Sequence, residues 1–347
     1  MTNIELIENK SLRYHNTFGM DVYARWFTEV QSEDALRSAL EWAGKSAGAP
    51  FILGGGSNIL FTRNVDGLVI ANAIPGVEVV KEDATCVWVK AGAGVRWHAM
   101  VEYCIHHGYA GIENLALIPG NVGAAPMQNI GAYGVEIKDV FDSLTAMDMQ
   151  DKSIQVMDAE SCAFGYRESK FKREWKNKYV ITSVTLRLNK IPKYHIEYGA
   201  IARELENMGV RELSIRAVAD AVIKIRTGKL PDPAVIGNAG SFFKNPEVTA
   251  ETYHALKQTY PDIAGYALEN GKVKLAAGWL IEHSGPAVGV SWKGYRKGDA
   301  GCHAMQALVL VNHAHASGND ILELSEQIIA SVQHKFGVTL EREVNVY

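Results

Sequence analysis

The chain's 347 residues exceed one ordinary domain and suit two or three compact units. With 47% hydrophobic residues it can bury sizeable cores, yet no window approaches the ~20 consecutive apolar residues of a membrane-spanning helix. A formal net charge of −4, with no long run of Lys or Arg, excludes nucleic acid as the main partner but leaves room for a local cationic pocket.

The N-terminus, Met1 to Glu8, is acidic where a secretory signal needs positive charge, so the expected compartment is the cytoplasm. Tyr14 to Val30 reads as an irregular segment leading into a strand. Ser32 offers an N-cap oxygen to a helix carrying Leu36, Ala39, Leu40 and Ala43 on one face and ending by Gly48 and Pro50. Phe51 to Leu53 is a short buried strand that runs into Gly54-Gly55-Gly56-Ser57-Asn58. Strands at 68–70, 77–80 and 86–90 precede a helix with Trp97, Met100, Val101, Cys104 and Ile105 on one face and Gly108 as C′ residue.

Ile112 to Gly134 is rich in Gly, Ala, Asn and Pro and poor in charge, a composition that suits an ordered, ligand-binding loop. Strands follow at roughly 140–147 and 179–188, then a helix from Ser214 to about Arg226. The stretch Thr227 to Pro233 reads as a break and a domain boundary. Helices near 249–259, 275–283 and 319–336 come next. A closing strand, 338–346, places Val338, Leu340, Val344 and Val346 on one face and Glu341 and Glu343 on the other. Mixed strands and helices without βαβαβ alternation predict an α+β fold. A doubly wound dinucleotide fold is disfavoured, because Gly54–Gly56 lacks the Gly-x-Gly-x-x-Gly spacing.

Four dispersed cysteines form no Cys-x-x-Cys pair and eleven histidines include no His-Glu-x-x-His, so no disulfide framework or metal is expected. Gly54-Gly55-Gly56-Ser57-Asn58 suits an anion such as pyrophosphate, or simply a tight turn. In Ile118 to Gly134, small residues permit close approach of a flat ligand, and Gln128 and Asn129 can hydrogen-bond imide-like groups, properties a flavin ring demands. Arg167, in Phe164-Gly165-Tyr166-Arg167, suits a carboxylate or a surface ion pair. Ser241, in Gly240-Ser241-Phe242-Phe243-Lys244-Asn245-Pro246, is either a proton-donating hydroxyl or an ST-turn packed by two phenylalanines.

Taken in order, Gly56-Ser57-Asn58, Leu117-Ile118-Pro119-Gly120, Gln128 to Gly134, Phe164 to Arg167 and Gly240 to Pro246 resemble the UDP-N-acetylenolpyruvoylglucosamine reductase family across essentially the whole chain. That resemblance implies an FAD-binding domain of the vanillyl-alcohol-oxidase type over 1–226, in two subdomains of about 1–72 and 73–226. It further implies a smaller α+β substrate-binding domain over 227–337 and a C-terminal strand, 338–347, returning to the active site. NADPH would reduce a non-covalently held FAD, and an enol ether of a UDP-sugar would then be reduced in peptidoglycan precursor synthesis. The flavin would lie against Gly54, Gly55, Gly56, Ser57, Asn58, Ile118, Pro119, Gly120, Gly123, Ala124, Gln128, Asn129, Gly131, Ala132 and Tyr133.

By the same resemblance Ser241 would donate the proton, while Arg167 and Glu343 would stabilise the enolate-like intermediate. Glu343 would then be partly buried with a raised pKa. Tyr198, Arg226, Lys229, Asn245 and Gln306 would bind the UDP-sugar, Tyr198 as in the subtype that closes a tyrosine loop over the substrate. The last motif departs from the family pattern at Arg342, where proline is expected. A monomer is expected, with neither membrane nor nucleic acid as partner. Two other readings are an FAD oxidase of the same superfamily and a non-catalytic nucleotide-sugar binding protein.

Overall fold

A computed structural model describes residues 4–197 and 200–347. The chain divides into two compact units, and neither is continuous in sequence. Unit 1 comprises residues 1–10, 23–56 and 65–228; unit 2 comprises 11–22, 57–64 and 229–347. No helix among the described residues is long and apolar enough to cross a membrane.

Unit 1 holds two sheets. The first has the order β1 (Ile7–Ser11), β2 (Tyr23–Val30), β4 (Val65–Asn72), β3 (Phe51–Leu53), with β2 and β3 both parallel to β4. Helix α1 (Glu33–Ser46) makes the crossover from β2 to β3. Ser32 accepts from the Ala35 N–H, satisfying one of the free donors of the first turn. Leu36, Ala39, Leu40 and Ala43 then pack on Val30, Leu68 and Ile70.

The second sheet is antiparallel and runs β8 (Ile154–Asp158), β7 (Phe141–Asp148), β9 (Tyr179–Asn189), β6 (Cys86–Gly92), β5 (Val77–Glu82). Helix α2 (Trp97–His106) buries Trp97, Met100, Val101, Cys104 and Ile105 against this sheet's core. Its end is a Schellman turn: Gly108, at φ +76°, donates to Ile105 O and Tyr109 donates to Cys104 O. Helices α3 (Ala200–Asn207) and α4 (Ile215–Lys229) contribute Ile201, Leu205, Val222 and Ile225 to the same core.

Unit 2 has an antiparallel sheet of order β10 (Gly237–Ser241), β16 (Val309–Asn312), β15 (Ala300–Cys302), β14 (Arg296–Lys297). A smaller sheet runs β11 (Glu247–Thr249), β13 (Lys272–Leu275), β12 (Gly265–Ala267). Helices α5 (Ala250–Thr259), α6 (Ala277–Glu282) and α7 (Gly318–Phe336) complete it. α7 opens on a capping box between Ser317 and Asp320 and closes on Gly337 at φ +67°. Ile321, Leu324, Ile328 and Val332 form its buried stripe.

The excursion 11–22 joins unit 2 through hydrogen bonds. Asn238 N–H donates to Thr17 O at 3.0 Å and the Asn312 side chain to Phe18 O at 3.0 Å. Asn16, buried, holds that turn closed with bonds to Leu12 and Met20.

Three expected element boundaries move. The helix that begins after Ser214 continues to Lys229, because Pro231 is the first residue that cannot extend it and Thr227 satisfies its hydroxyl on Ile223 O. The helix expected from Leu275 starts at Ala277, since Leu275 belongs to β13 and pairs with Gly265. The closing strand is not one strand. Arg342 bridges Phe243, whereas only Asn345–Val346 forms a strand, parallel to Ile59–Leu60. The change of partner turns the chain, so Val338, Leu340 and Val344 are buried while Val346 is 41% exposed.

Candidate active site

In unit 1 two glycine-rich loops face each other. A Cβ on Gly55 would stand 2.9 Å from Asn121 Oδ1 and 3.0 Å from Gly120 Cα, so only glycine permits this approach. Hydrogen bonds from Trp97 to Gly120 O, Val122 to Val95 O and Gly123 to Ala93 O fix the second loop on the start of α2. Gly54, Gly55, Pro119 and Ala124 remain exposed around this junction. Bare backbone on two sides, held from behind, is a cradle that fits a pyrophosphate and the edge of a flavin.

Strain concentrates beside the cradle. Leu117, Asn129, Tyr133 and Arg167 all have positive φ, between 43° and 58°, which side-chain-bearing residues adopt only where their surroundings enforce it. The enforcement is visible for each. Leu117 N–H donates to His98 Nδ1 at 3.2 Å, and the buried Asn114 side chain donates to Tyr133 O and His195 O. Asn129 is completely buried: its amide donates to Glu136 Oε2 and Gly165 O, and its Oδ1 accepts from the Lys138 N–H. The expectation that the Asn129 side chain reads a ligand is therefore corrected. Both donors are committed to protein and no surface is left to touch a cofactor. Gln128 is half-buried.

Arg167 donates to Gly131 O at 2.6 Å and lies over the Tyr166 ring. Near it stand Tyr133 and Arg226, and sequence reasoning gave these three residues three different roles. Burial pushes the Arg226 guanidinium below its ordinary range; Arg167 adds to that shift and Tyr133 offsets part of it. The buried Arg226 Nε has no hydrogen-bond partner among the described residues. Two neighbouring guanidiniums, one with an unsatisfied donor, form a receptor for an anion.

In unit 2 a β-bulge presents Ser241. β10 pairs Asn238 with Val311 and Ser241 with Val309, so one extra residue is accommodated between them. Gly240 takes φ +70° there, and its N–H donates to the Asn238 side chain at 3.0 Å. Phe242 and Phe243 are fully buried on either side of the chain's exit, and Ser241 is left half-buried.

The C-terminal segment then runs antiparallel beside it. Lys244 N–H donates to Glu341 O, Phe243 bridges Arg342, and Glu343 N–H donates to Phe242 O at 2.8 Å. Residues about one hundred apart in sequence thus become backbone neighbours. Glu341 is 74% exposed at its side chain and pairs with Lys244, whereas Glu343 is half-buried.

Asn58 belongs to this unit with Ser57, apart from the three glycines that precede them. Its side chain donates to Glu343 O at 3.3 Å. Asn245 Oδ1 accepts from the Ala277 N–H at 2.9 Å, and Gln306 Oε1 lies close to Gly278, so both gather at the start of α6. Lys229 is exposed at the end of α4. Tyr198 lies outside the described residues.

Sequence reasoning missed His98, Asn114 and Ser169. Ser169, fully buried, donates to Met127 O at 2.7 Å and caps the turn after Arg167. The signal for Asn114 was a polar pair, Glu113-Asn114, inside an apolar run; for His98 there was none. Cys104, Cys162 and Cys302 are free thiols pushed up to about 12 by burial, which removes them from nucleophilic chemistry.

Residues 24–157 match the FAD binding domain family, and residues 232–347 match the family described as UDP-N-acetylenolpyruvoylglucosamine reductase, C-terminal domain. The UDP-N-acetylenolpyruvoylglucosamine reductase of Pseudomonas aeruginosa is 49% identical over 346 residues, covering 99% of this chain and 100% of that one. The protein of the same name from Amoebophilus asiaticus is 49% identical over 343 residues, with 99% of each chain covered. Among solved structures, the Thermus caldophilus UDP-N-acetylenolpyruvylglucosamine reductase aligns over 100% of both chains at 25% identity with a TM-score of 0.66. The 6-hydroxy-D-nicotine oxidase of Arthrobacter nicotinovorans shares the fold alone, with a TM-score of 0.52 at 13% identity over 98% of this chain and 87% of that one. Identity of this extent, over both halves of the molecule, makes the chain a member of the UDP-N-acetylenolpyruvoylglucosamine reductase family, oxidoreductases with an FAD-binding domain.

Proposed function

We propose that this enzyme reduces the enolpyruvyl ether of UDP-N-acetylglucosamine to UDP-N-acetylmuramate in peptidoglycan precursor synthesis, with NADPH as reductant. FAD, when bound, supplies the hydride to the enol ether and has it replaced by NADPH. Gly54, Gly55, Gly120, Gly123 and Ala124 would hold the cofactor, and the close approach at Gly55 is the feature that fits it.

The observation that supports the mechanism is the backbone pairing of 242–244 with 341–343, which brings the segments of Ser241 and Glu343 side by side. Hydride addition at one carbon places negative charge on the carbon next to the carboxylate. Ser241 donates its hydroxyl proton to that carbon, which completes the addition of two hydrogens across the double bond. Arg167 is assigned to the substrate carboxylate, where a fixed cation gains most as charge develops. Glu343 shares that task by donating a hydrogen bond, which requires its carboxyl to keep the proton. Lys229, Arg226, Asn245, Gln306 and Tyr198 are assigned to the UDP-sugar.

Stopped-flow spectroscopy tests the reading. The NADPH-reduced flavoprotein, kept anaerobic, is expected to reoxidise on mixing with the enolpyruvyl UDP-sugar. Reoxidation by oxygen alone would turn the reading toward an oxidase. A purified protein without flavin absorbance after FAD addition would leave only a binding role.

A further inference from the structure

We infer that Arg342 and Ser325 are positioning residues for Glu343, an inference that rests on the role given to Glu343 above. The segment that carries this carboxyl has little regular structure: one bridge at Arg342, then no strand until Asn345. Its main chain is held by Phe242 O on the Glu343 N–H, and by the Asn58 side chain on the Glu343 carbonyl. Asn345 returns a bond to Asn58 O at 3.0 Å. These bonds fix where the segment lies, and the buried side chains of Leu340 and Val344 hold it against the core.

Arg342, two residues from each of Leu340 and Val344, adds a directional polar anchor. Its Nε donates to Ser325 Oγ at 2.9 Å. Ser325 is completely buried on α7 and commits its own proton to Leu322 O at 2.6 Å, so its lone pair is what Arg342 meets. A buried hydroxyl oriented in this way on a 19-residue helix is a rigid anchor. Successive side chains of an extended segment point to opposite sides. Anchoring Arg342 to α7 therefore aims Glu343 away from it. The ion pair to Glu326 at 3.5 Å is largely exposed and adds little.

The test uses the full-length, FAD-loaded enzyme as Arg342→Met, Arg342→Lys and Ser325→Ala, followed in the two half-reactions separately. Flavin reduction by NADPH is expected to stay within about twofold of wild type. Reoxidation at saturating enolpyruvyl sugar is expected to slow about tenfold in Arg342→Met, with KM nearly unchanged, because misorientation costs rate rather than binding. Arg342→Lys, which keeps a donor within reach of Ser325, should recover most of the loss, and Ser325→Ala should fall between. Wild-type reoxidation in a folded Arg342→Met, or equal losses in both half-reactions, would overturn the clamp. If Arg342→Met fails to fold, Ser325→Ala decides alone by the same criterion. A wild-type flavin that the sugar never reoxidises defeats the functional reading as well, whereas a competent wild type beside unaffected variants defeats only the clamp.

Discussion

The glycine cradle of unit 1 and the Ser241 bulge of unit 2 are built on opposite principles. In the cradle, access comes from side chains that are missing, and the groups that enforce the shape, Asn114, Asn129 and His98, sit behind it. At the bulge, access comes from one side chain put forward, with its neighbours Phe242 and Phe243 fully buried. A surface that only binds can be made of bare backbone. A group that transfers a proton must be a particular atom at a particular place.

The sharpest break in that contrast is Ser241→Ala. Proton donation by a placed side chain is worth about 10²–10⁴ in rate, so reoxidation by the enolpyruvyl sugar should slow by roughly a thousandfold. Flavin reduction by NADPH should stay near normal, as measured by stopped-flow absorbance. Equal loss in both half-reactions would make Ser241 a structural residue of the bulge.

Gly55→Val probes the other side. A branched side chain 2.9 Å from Asn121 Oδ1 must push the two loops apart. Overpacking strain of about 1–3 kcal/mol corresponds to roughly a ten- to hundredfold weaker FAD Kd. Titration of apoprotein by fluorescence quenching checks it, and an unchanged Kd would place the cofactor elsewhere. Once saturated with FAD, this variant should retain the Ser241-dependent step, which separates binding from chemistry.

The two regions also differed in how far they could be read from sequence. The cradle is local: Gly54–Gly56 and Ile118–Gly134 announce themselves by composition, because backbone exposure requires small residues in a row. Ser241 alone reads equally as a turn. Its partner Glu343 stands on what looks like an ordinary alternating strand, and only the pairing of 242–244 with 341–343 distinguishes it from Glu341. The bulge had a signal, Asn238 two residues before Gly240, that becomes meaningful only with the register against β16. Asn129 was misread for the complementary reason. An amide in a ligand loop looks like a ligand contact, and nothing in the chain tells whether it faces inward.

Asn129→Leu tests that correction. The substitution removes three hydrogen bonds, to Glu136, Gly165 and Lys138, at about 1 kcal/mol each. Denaturant unfolding should show a loss of roughly 2–3 kcal/mol. Any effect on FAD affinity should follow that loss and diminish at low temperature. A variant of normal stability that binds FAD poorly would restore Asn129 as a direct contact.

The smallest expected effect concerns His98, and it probes how the cradle is braced. Burial lowers its pKa from 6.5, with Arg216 and Arg226 lowering it further and Glu102 opposing them. The neutral ring is the form that accepts from Leu117 N–H, so protonation removes the acceptor that holds a strained residue. Because the folded state binds this proton less readily than the unfolded chain, stability falls as pH drops below about 6.5. His303 and His313, also lowered mainly by burial, contribute with the same sign. His98→Gln keeps an acceptor for Leu117 but does not titrate. Its melting temperature should therefore decline less steeply than wild type between about pH 7 and 5, with the other two histidines cancelling in the comparison. Parallel declines would show that Leu117 is held without help from the neutral imidazole.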